Sequence, residues 1–153
     1  MACKYYDEFQ IGEVFTSPAR TITEYDITQF AGNTADYNPL HTNEEWAKKT
    51  QFGGRIAHGL LGASIGIGLW CRLGLMDGSA LAFLGTSWDF KNAIMIGDTI
   101  YSKITVGDMR MTSKPGRGII FLDFEIINQK GVVCQVGQMK LMVGTKEYCE
   151  ANN

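Results

Sequence analysis

The chain has 153 residues, of which 45% are hydrophobic and 20% charged, and its formal net charge is −2. This size and composition are typical of one globular domain, so we predict a single domain over residues 1–153. Nucleic-acid binding usually requires a clustered basic excess, which this charge balance excludes.

The chain has no clear targeting, membrane or metal-binding pattern. Its first residues, MACKYYDEFQ, lack the apolar run of a secretory signal. The longest uncharged run, residues 56–71, is shorter than the roughly 18 residues of a spanning helix. Four scattered cysteines without a C-x-x-C pair favour free thiols in a reducing compartment. We therefore predict a cytoplasmic protein with no metal site and no membrane partner.

The first half of the chain is predicted to be mainly helical after an opening strand over residues 14–22. Thr23-x-x-Asp26 resembles a capping box, and apolar residues follow it at helical spacing. Asn38-Pro39 interrupts the helical pattern, because the residue before proline resists the helical conformation. Thr42-x-x-Glu45 predicts a second capping box and a short helix, which ends before the glycine pair at residues 53–54.

Residues 60–75 predict a long helix that is apolar nearly all the way round and must therefore be enclosed. Gly62, Gly66 and Gly68 each cost up to ~1 kcal/mol relative to alanine inside a helix. We expect that cost where sheet backbone passes close to the helix.

The second half shows the alternation of β-strands, beginning with an apolar strand over residues 80–90. Ile100, Ile104 and Val106 share one face, residues 120–126 alternate, and a turn at residues 128–131 leads into a strand over residues 132–143. Alternating runs joined by short turns indicate an antiparallel sheet. A buried helix followed by such a sheet predicts an α+β hot-dog fold, in which the sheet wraps around the helix.

Asp36 and His41 are the first candidates for chemistry, since a proline turn can bring this carboxylate and imidazole together. Hydration of an activated alkene needs a base for water and an acid for the α-carbon, and such a pair can supply both. The alternative is an ordinary turn, in which Asp36 and Asn38 only form local hydrogen bonds and His41 is a surface residue.

The segment Phe52-Gly53-Gly54-Arg55-Ile56-Ala57-His58-Gly59 holds the second histidine and leads into the predicted long helix. Free N–H groups at a helix start, with the positive end of the helix dipole, suit a developing enolate oxygen. Gly59 lacks a Cβ, so a thioester carbonyl could approach its N–H closely. The alternatives are a simple N-cap for Gly59 and a core histidine bonded to backbone for His58.

Together these two segments, D-x-N-P-x-H and F-G-x-x-I-A-H-G, resemble the signature of the MaoC-like dehydratases, which include (R)-specific enoyl-CoA hydratases. The resemblance covers nearly the whole chain and extends to residues 89–99, where Ala93 stands at the approximate place of a common proline. It implies that Asp36 and His41 hold the attacking water, that Gly59 N–H binds the thioester carbonyl and that Asn38 supports the loop.

The resemblance also implies an acyl-CoA substrate, or the pantetheine arm of acyl carrier protein, and a homodimer or larger assembly without a cofactor. The candidates for substrate binding are Asn38, His58, Ser64 and Trp88. Ser64 is a candidate because some family members have a hydroxyl deeper in the central helix. Trp88 could line an acyl pocket or belong to the core.

Two alternatives use the same fold. A hot-dog thioesterase would attack the thioester carbonyl, and a non-catalytic protein would only bind acyl-CoA. The pairing of Asp36 with His41 favours the hydro-lyase over both.

Overall fold

Six antiparallel strands form one sheet in the computed structural model, which describes residues 3–152. Residues 1, 2 and 153, at the ends of the predicted domain, lie outside the described residues. The spatial order is β1-β4-β5-β6-β3, and β2 also pairs with β4. The strands are β1 Val14–Thr16, β2 Arg20–Thr21, β3 Ala80–Phe90, β4 Thr99–Met111, β5 Arg117–Asn128 and β6 Val133–Gly144.

Within residues 3–152, five α-helices and one 3-10 turn accompany the sheet. The longest helix lies between β2 and β3 in the chain, together with three shorter ones. The helices are α1 Glu24–Thr34, α2 Pro39–Thr42, α3 Glu44–Ala47, α4 Gly59–Cys71 and α5 Lys146–Asn152, and the 3-10 turn is Tyr6–Glu8. The sequence analysis did not predict α5 or the 3-10 turn.

The core lies between α4 and one face of the sheet. Inward positions of β4 and β5 alternate as predicted, and their buried side chains are Ile100, Ser102, Ile104 and Val106 in β4 and Ile120, Leu122, Phe124 and Ile126 in β5. The Ser102 hydroxyl donates to the Gly66 carbonyl of α4 at 2.8 Å. This contact ties the central helix to the sheet, in the arrangement predicted for a hot-dog fold.

The prediction of one continuous strand over residues 14–22 is wrong, because the segment forms two separate short strands, β1 and β2. Pro18 lies in the interruption, where it has no N–H to give to a strand partner. The preceding Ser17 accepts a 2.8 Å hydrogen bond from the Ser102 N–H through its hydroxyl. The Ser17 N–H also donates to the Ser102 carbonyl at 2.9 Å, so one backbone bond and one side-chain bond join the chain to β4 at the break.

The predicted capping box at Thr23 and Asp26 is present at the start of α1. The second capping box, at Thr42 and Glu45, is wrong. Asn43 is the N-cap of α3, and its side chain accepts from the Trp46 N–H at 3.0 Å. Thr42 belongs instead to the end of α2, where its hydroxyl donates to backbone carbonyls of the preceding loop.

The prediction that α4 is enclosed on all sides is wrong for the single chain. Leu60 is 63% exposed, and Ser64 and Gly68 are also exposed on the same helix. Gly62 and Gly66 face the sheet, whereas a Cβ at Gly68 would meet nothing within 4 Å. Close approach to the sheet therefore explains two of the three glycines.

All four cysteines are free thiols, as predicted. Among residues 3–152, no helix is both long and apolar enough to cross a membrane.

Candidate active site

The segment from Asp36 to His41 leads from the end of α1 into α2. Ala35 ends α1 in the left-handed conformation, with φ of 61°. The Asn38 N–H donates to the Asp36 carboxylate at 3.3 Å, and the Asn38 side chain accepts from the Leu40 N–H at 2.9 Å. These local bonds match the turn alternative for Asp36 and Asn38, and they fix the direction in which the loop enters α2.

His41 is buried, in contrast to the surface position that the turn alternative gives it. Its Nδ1 lies 2.8 Å from the Ile56 carbonyl oxygen. Because a carbonyl oxygen only accepts hydrogen bonds, Nδ1 carries the proton. In the neutral imidazole, Nε2 then has a free lone pair and can accept a proton or a hydrogen bond.

His58 is also buried, and its Nε2 lies 3.0 Å from the Asp36 carbonyl oxygen. Its ring stacks on that of His41, with 3.9 Å between centroids, and Phe30 contacts its other side at 4.8 Å. Burial lowers the pKa of His58, and a charge on His41 would lower it further. The lowered pKa favours the neutral form of His58, and its bond to backbone matches the core-histidine interpretation.

Asp36, His41 and His58 each offer one carboxylate or ring-nitrogen atom that lies within 4.8 Å of the other two. Atoms of these types bind divalent metals. They can also share one bound water molecule, with hydrogen bonds of about 2.8 Å. The predicted absence of a metal site stays a prediction.

Gly59 is the first residue of α4, so its N–H has no partner within the helix. A Cβ at this position would come within 2.8 Å of the Phe90 ring. On the other side, the Gly59 carbonyl accepts from the Gln135 side-chain nitrogen at 3.0 Å. The glycine thus fits between an aromatic ring and a strand while its N–H remains available.

A cavity of about 570 Å³ opens at the start of α4, within the size range of small-molecule sites. It brings together Asp36, His41, His58 and Gly59, three of them from the predicted catalytic set. The rest of its lining comes from α1, the loops around α2 and α4, the end of β3 with the segment after it, and β6: Phe30, Leu40, Gln51, Phe52, Ile56, Ala57, Leu60, Phe90, Lys91, Asn92, Ala93, Ile94 and Gln135.

Three predicted substrate-binding residues lie outside this lining. Asn38 is exposed and caps α2. Ser64 is exposed on α4, where its hydroxyl donates to the Leu60 carbonyl at 2.7 Å. Trp88 packs against Phe124, with ring centroids 5.6 Å apart. The geometry of the single chain therefore does not support direct substrate binding by these three residues, and their roles stay predictions.

Two residues near the cavity were missed by sequence reasoning. Gln135 lies within a predicted strand, and its sequence context gives no sign that it would reach the start of α4. Arg55 lies inside the second signature segment, and its guanidinium donates to both carboxylate oxygens of Glu24, at 2.7 and 2.6 Å, and to Glu44 at 3.0 Å. The charge of Arg55 in that segment was the available signal.

Known proteins are similar to this chain in sequence and in fold. The family model described as "MaoC like domain" matches residues 8–120. The chain is 41% identical over 103 residues to an (R)-specific enoyl-CoA hydratase of Rhodospirillum rubrum, covering 67% of this chain and 69% of that protein. The crystal structure of a MaoC-like dehydratase from Rhodospirillum rubrum superposes with a TM-score of 0.85 at 28% identity, covering 94% and 98% of the two chains.

The sheet around a central helix, with a cavity at the start of that helix, defines a hot-dog protein. A Mycobacterium tuberculosis protein with a double hot-dog fold superposes with a TM-score of 0.83, covering 94% of this chain and 45% of that one. Its 21% identity supports the fold alone. The chain belongs to the MaoC-like dehydratase family. The predicted fold, family and hydratase or dehydratase enzyme class are therefore confirmed.

Proposed function

We propose that this protein is a hydro-lyase that adds water to an enoyl-CoA, or removes it from a 3-hydroxyacyl-CoA. One observation carries the proposal: the Asp36 carboxylate, the His41 imidazole and the Gly59 N–H all meet at the same cavity. The Rhodospirillum rubrum relative is named for this activity.

The free Nε2 of His41 and the Asp36 carboxylate can each accept one hydrogen from the same water. A water held in this way points its oxygen lone pairs toward the cavity, where the substrate's β-carbon would lie. His41 thus orients the water, and Asp36 is the base that removes its proton during attack.

Gly59 N–H supplies the second requirement, which is stabilisation of the negative charge that forms on the thioester oxygen. The positive end of the α4 dipole favours the same oxyanion. In the hydration direction the water oxygen bonds to the β-carbon as one water proton passes to Asp36, and the alkene electrons form an enolate. The α-carbon then takes one proton, so that one water is added across the double bond and the protein has no net change in protons. The reaction balances with water and substrate alone, so we propose no metal or redox cofactor.

The proposal is tested by following the loss of enoyl-thioester ultraviolet absorbance with crotonyl-CoA and with longer or branched enoyl-CoAs. Asp36→Asn and His41→Ala should each lower kcat by about 10²-fold or more, the scale for losing an acid–base group. Glu45→Gln is the matched control, because it removes a carboxylate that is 81% exposed and outside the cavity. An unchanged thermal midpoint would separate lost chemistry from lost folding.

Near-full hydratase activity in both Asp36→Asn and His41→Ala would overturn this mechanism. Release of free thiol without alkene loss would support the thioesterase alternative instead. Parallel assays with acyl-CoA and acyl-acyl carrier protein would identify the carrier, and we propose the CoA ester as the substrate.

We further propose a homodimer that pairs through β3, the last strand in the sheet order. Its exposed apolar side chains are Leu81, Phe83, Leu84 and Phe90, which are 40–55% exposed. An outer strand with such side chains is a ready site for pairing with another chain. Sedimentation should show a dimer, and Phe83→Glu should shift it toward monomer. A monomeric wild-type protein would contradict this assembly.

A cytoplasmic location completes the proposal. It rests on the free cysteines and on the cytoplasmic supply of CoA thioesters that the activity would require.

A further inference from the structure

Gln135 of β6 connects the candidate active site to the outer strand of the sheet. The residue is only 3% exposed, yet it lines the cavity. Its Oε1 accepts from the Trp88 indole N–H at 2.9 Å, and its Nε2 donates to the Gly59 carbonyl at 3.0 Å. Two hydrogen bonds therefore run in series from β3 to the first residue of α4.

The indole fixes which way this amide faces. Trp88 Nε1–H can only donate, so it selects the amide oxygen of Gln135. The amide nitrogen must then face Gly59, whose carbonyl can only accept. Because both the oxygen and the nitrogen of this buried amide have fixed partners, the amide has one orientation. In that orientation its nitrogen donates to the Gly59 carbonyl at the start of α4.

The surrounding backbone leaves room for this connection on both sides. A Cβ at Gly62, one turn along α4, would overlap Gln135 Nε2 and lie 3.2 Å from its Cδ. A Cβ at Gly137 would overlap the Trp88 indole ring. The side chains of Gln135 and Trp88 thus each occupy space that a glycine leaves open, as expected of a specific packing contact.

Gly59 needs such support because glycine has the greatest backbone freedom of any residue. The side chain that would ordinarily anchor a helix start by packing is absent here, and its absence is what leaves room at the N–H. We propose that Gln135 is a positioning residue that holds Gly59 through its carbonyl and so aims the Gly59 N–H at the substrate oxygen. Trp88 acts one step further out, by orienting Gln135.

This inference rests on the proposed hydratase function. It gives Trp88 an indirect part in the site, although the indole does not line the cavity. Since an N–H that is misaimed loses its effect on the enolate more than on the bound substrate, the cost should fall on kcat rather than on KM.

The experiment compares Gln135→Met, Gln135→Glu and Trp88→Phe by kcat, KM and thermal midpoint with an enoyl-CoA that the wild type hydrates. Gln135→Met keeps the length of the side chain and removes both hydrogen bonds, so kcat should fall about tenfold or more with KM nearly unchanged. Trp88→Phe removes one donor and leaves Gln135 in place, so its loss in kcat should be smaller.

Gln135→Glu adds a pH dependence of kcat that would not be expected if Gln135 only filled space. A protonated carboxyl can still accept from Trp88 and donate to Gly59, whereas the ionised form has no proton for the Gly59 carbonyl. The ratio of variant to wild-type kcat should therefore rise as the pH falls through the titration of the carboxyl that this substitution introduces. Taking the ratio cancels the pH dependence that both proteins share.

A folded Gln135→Met variant with wild-type kcat would overturn the inference, as would a pH-independent ratio for folded Gln135→Glu. If Gln135→Met does not fold, the inference is tested by the kcat of Trp88→Phe, which should be reduced, and by the pH dependence of Gln135→Glu. Absence of hydratase activity in the wild type would instead refute the proposed function. An active wild type with an inactive Asp36→Asn and a fully active Gln135→Met would refute this inference alone.

Discussion

Gly66 and Gly68 lie two residues apart in α4 but have opposite surroundings, so alanine at each should have opposite effects. A Cβ at Gly66 would overlap the Cδ1 of Ile126, lie 3.1 Å from its Cγ1 and come within 3.2 Å of the Ser102 hydroxyl. Ile126 is fully buried and has little room to withdraw. At Gly68 a Cβ would meet nothing within 4 Å.

The magnitude follows from two terms. Replacing a helical glycine by alanine gains about 1 kcal/mol of unfolding free energy at either position. Forcing a methyl group into a packed core costs about 1–3 kcal/mol, and this cost applies to Gly66 alone. Gly68→Ala should therefore be about 1 kcal/mol more stable than the wild type. Gly66→Ala should be about 2 kcal/mol less stable than Gly68→Ala, because the helix term cancels between the two variants.

Thermal unfolding followed by circular dichroism measures this gap. For a domain of this size, a gap of about 2 kcal/mol corresponds to roughly 4–8 °C between the two midpoints. Gly66→Ala as stable as Gly68→Ala would refute the close contact between α4 and β5. A lower midpoint for Gly68→Ala than for the wild type would show that this face of α4 is covered in the assembly.

Two further predictions concern the support of the site. The pKa of His58 is lowered in the fold, chiefly by burial, so the unfolded protein binds a proton that the folded protein does not as the pH falls below about 6.5. The free energy of unfolding should therefore decrease with falling pH. In denaturant titrations, His58→Gln should make this decrease smaller. Arg55→Met should lower the thermal midpoint by about 2–4 °C by releasing Glu24 and Glu44. Arg55→Lys should recover less than half of that loss, since one ammonium cannot replace the fork between two carboxylates, and equal midpoints for all three proteins would contradict this role.

Local signals in the sequence predicted the elements well where each element depends on its own residues. The capping box of Thr23 and Asp26 closes over three residues, and the alternation in β4 and β5 reflects one buried face. Prediction failed where two neighbours had similar propensity: Thr42 and Asn43 can both cap a helix, and α2 already uses Thr42. No local pattern distinguishes these choices.

The sequence predicted the site residues in the two signature segments, but it did not predict Gln135, which contacts Gly59 from a distant strand. Asp36, His41 and Gly59 belong to short segments whose spacing can be read directly. Gln135, by contrast, reaches Gly59 across 76 positions and Trp88 across 47. Those partners depend on the register of β3 with β6, which the alternating pattern of either strand leaves open.

The two histidines exchange support between the signature segments. His41 belongs to the first segment and bonds the backbone of the second at Ile56, while His58 belongs to the second and bonds the backbone of the first at Asp36. Each segment thus fixes the backbone of the other through one histidine side chain. The consequence for engineering is that neither segment should keep its conformation when it is transferred alone. A graft of the first segment into another hot-dog protein would need the second segment transferred with it.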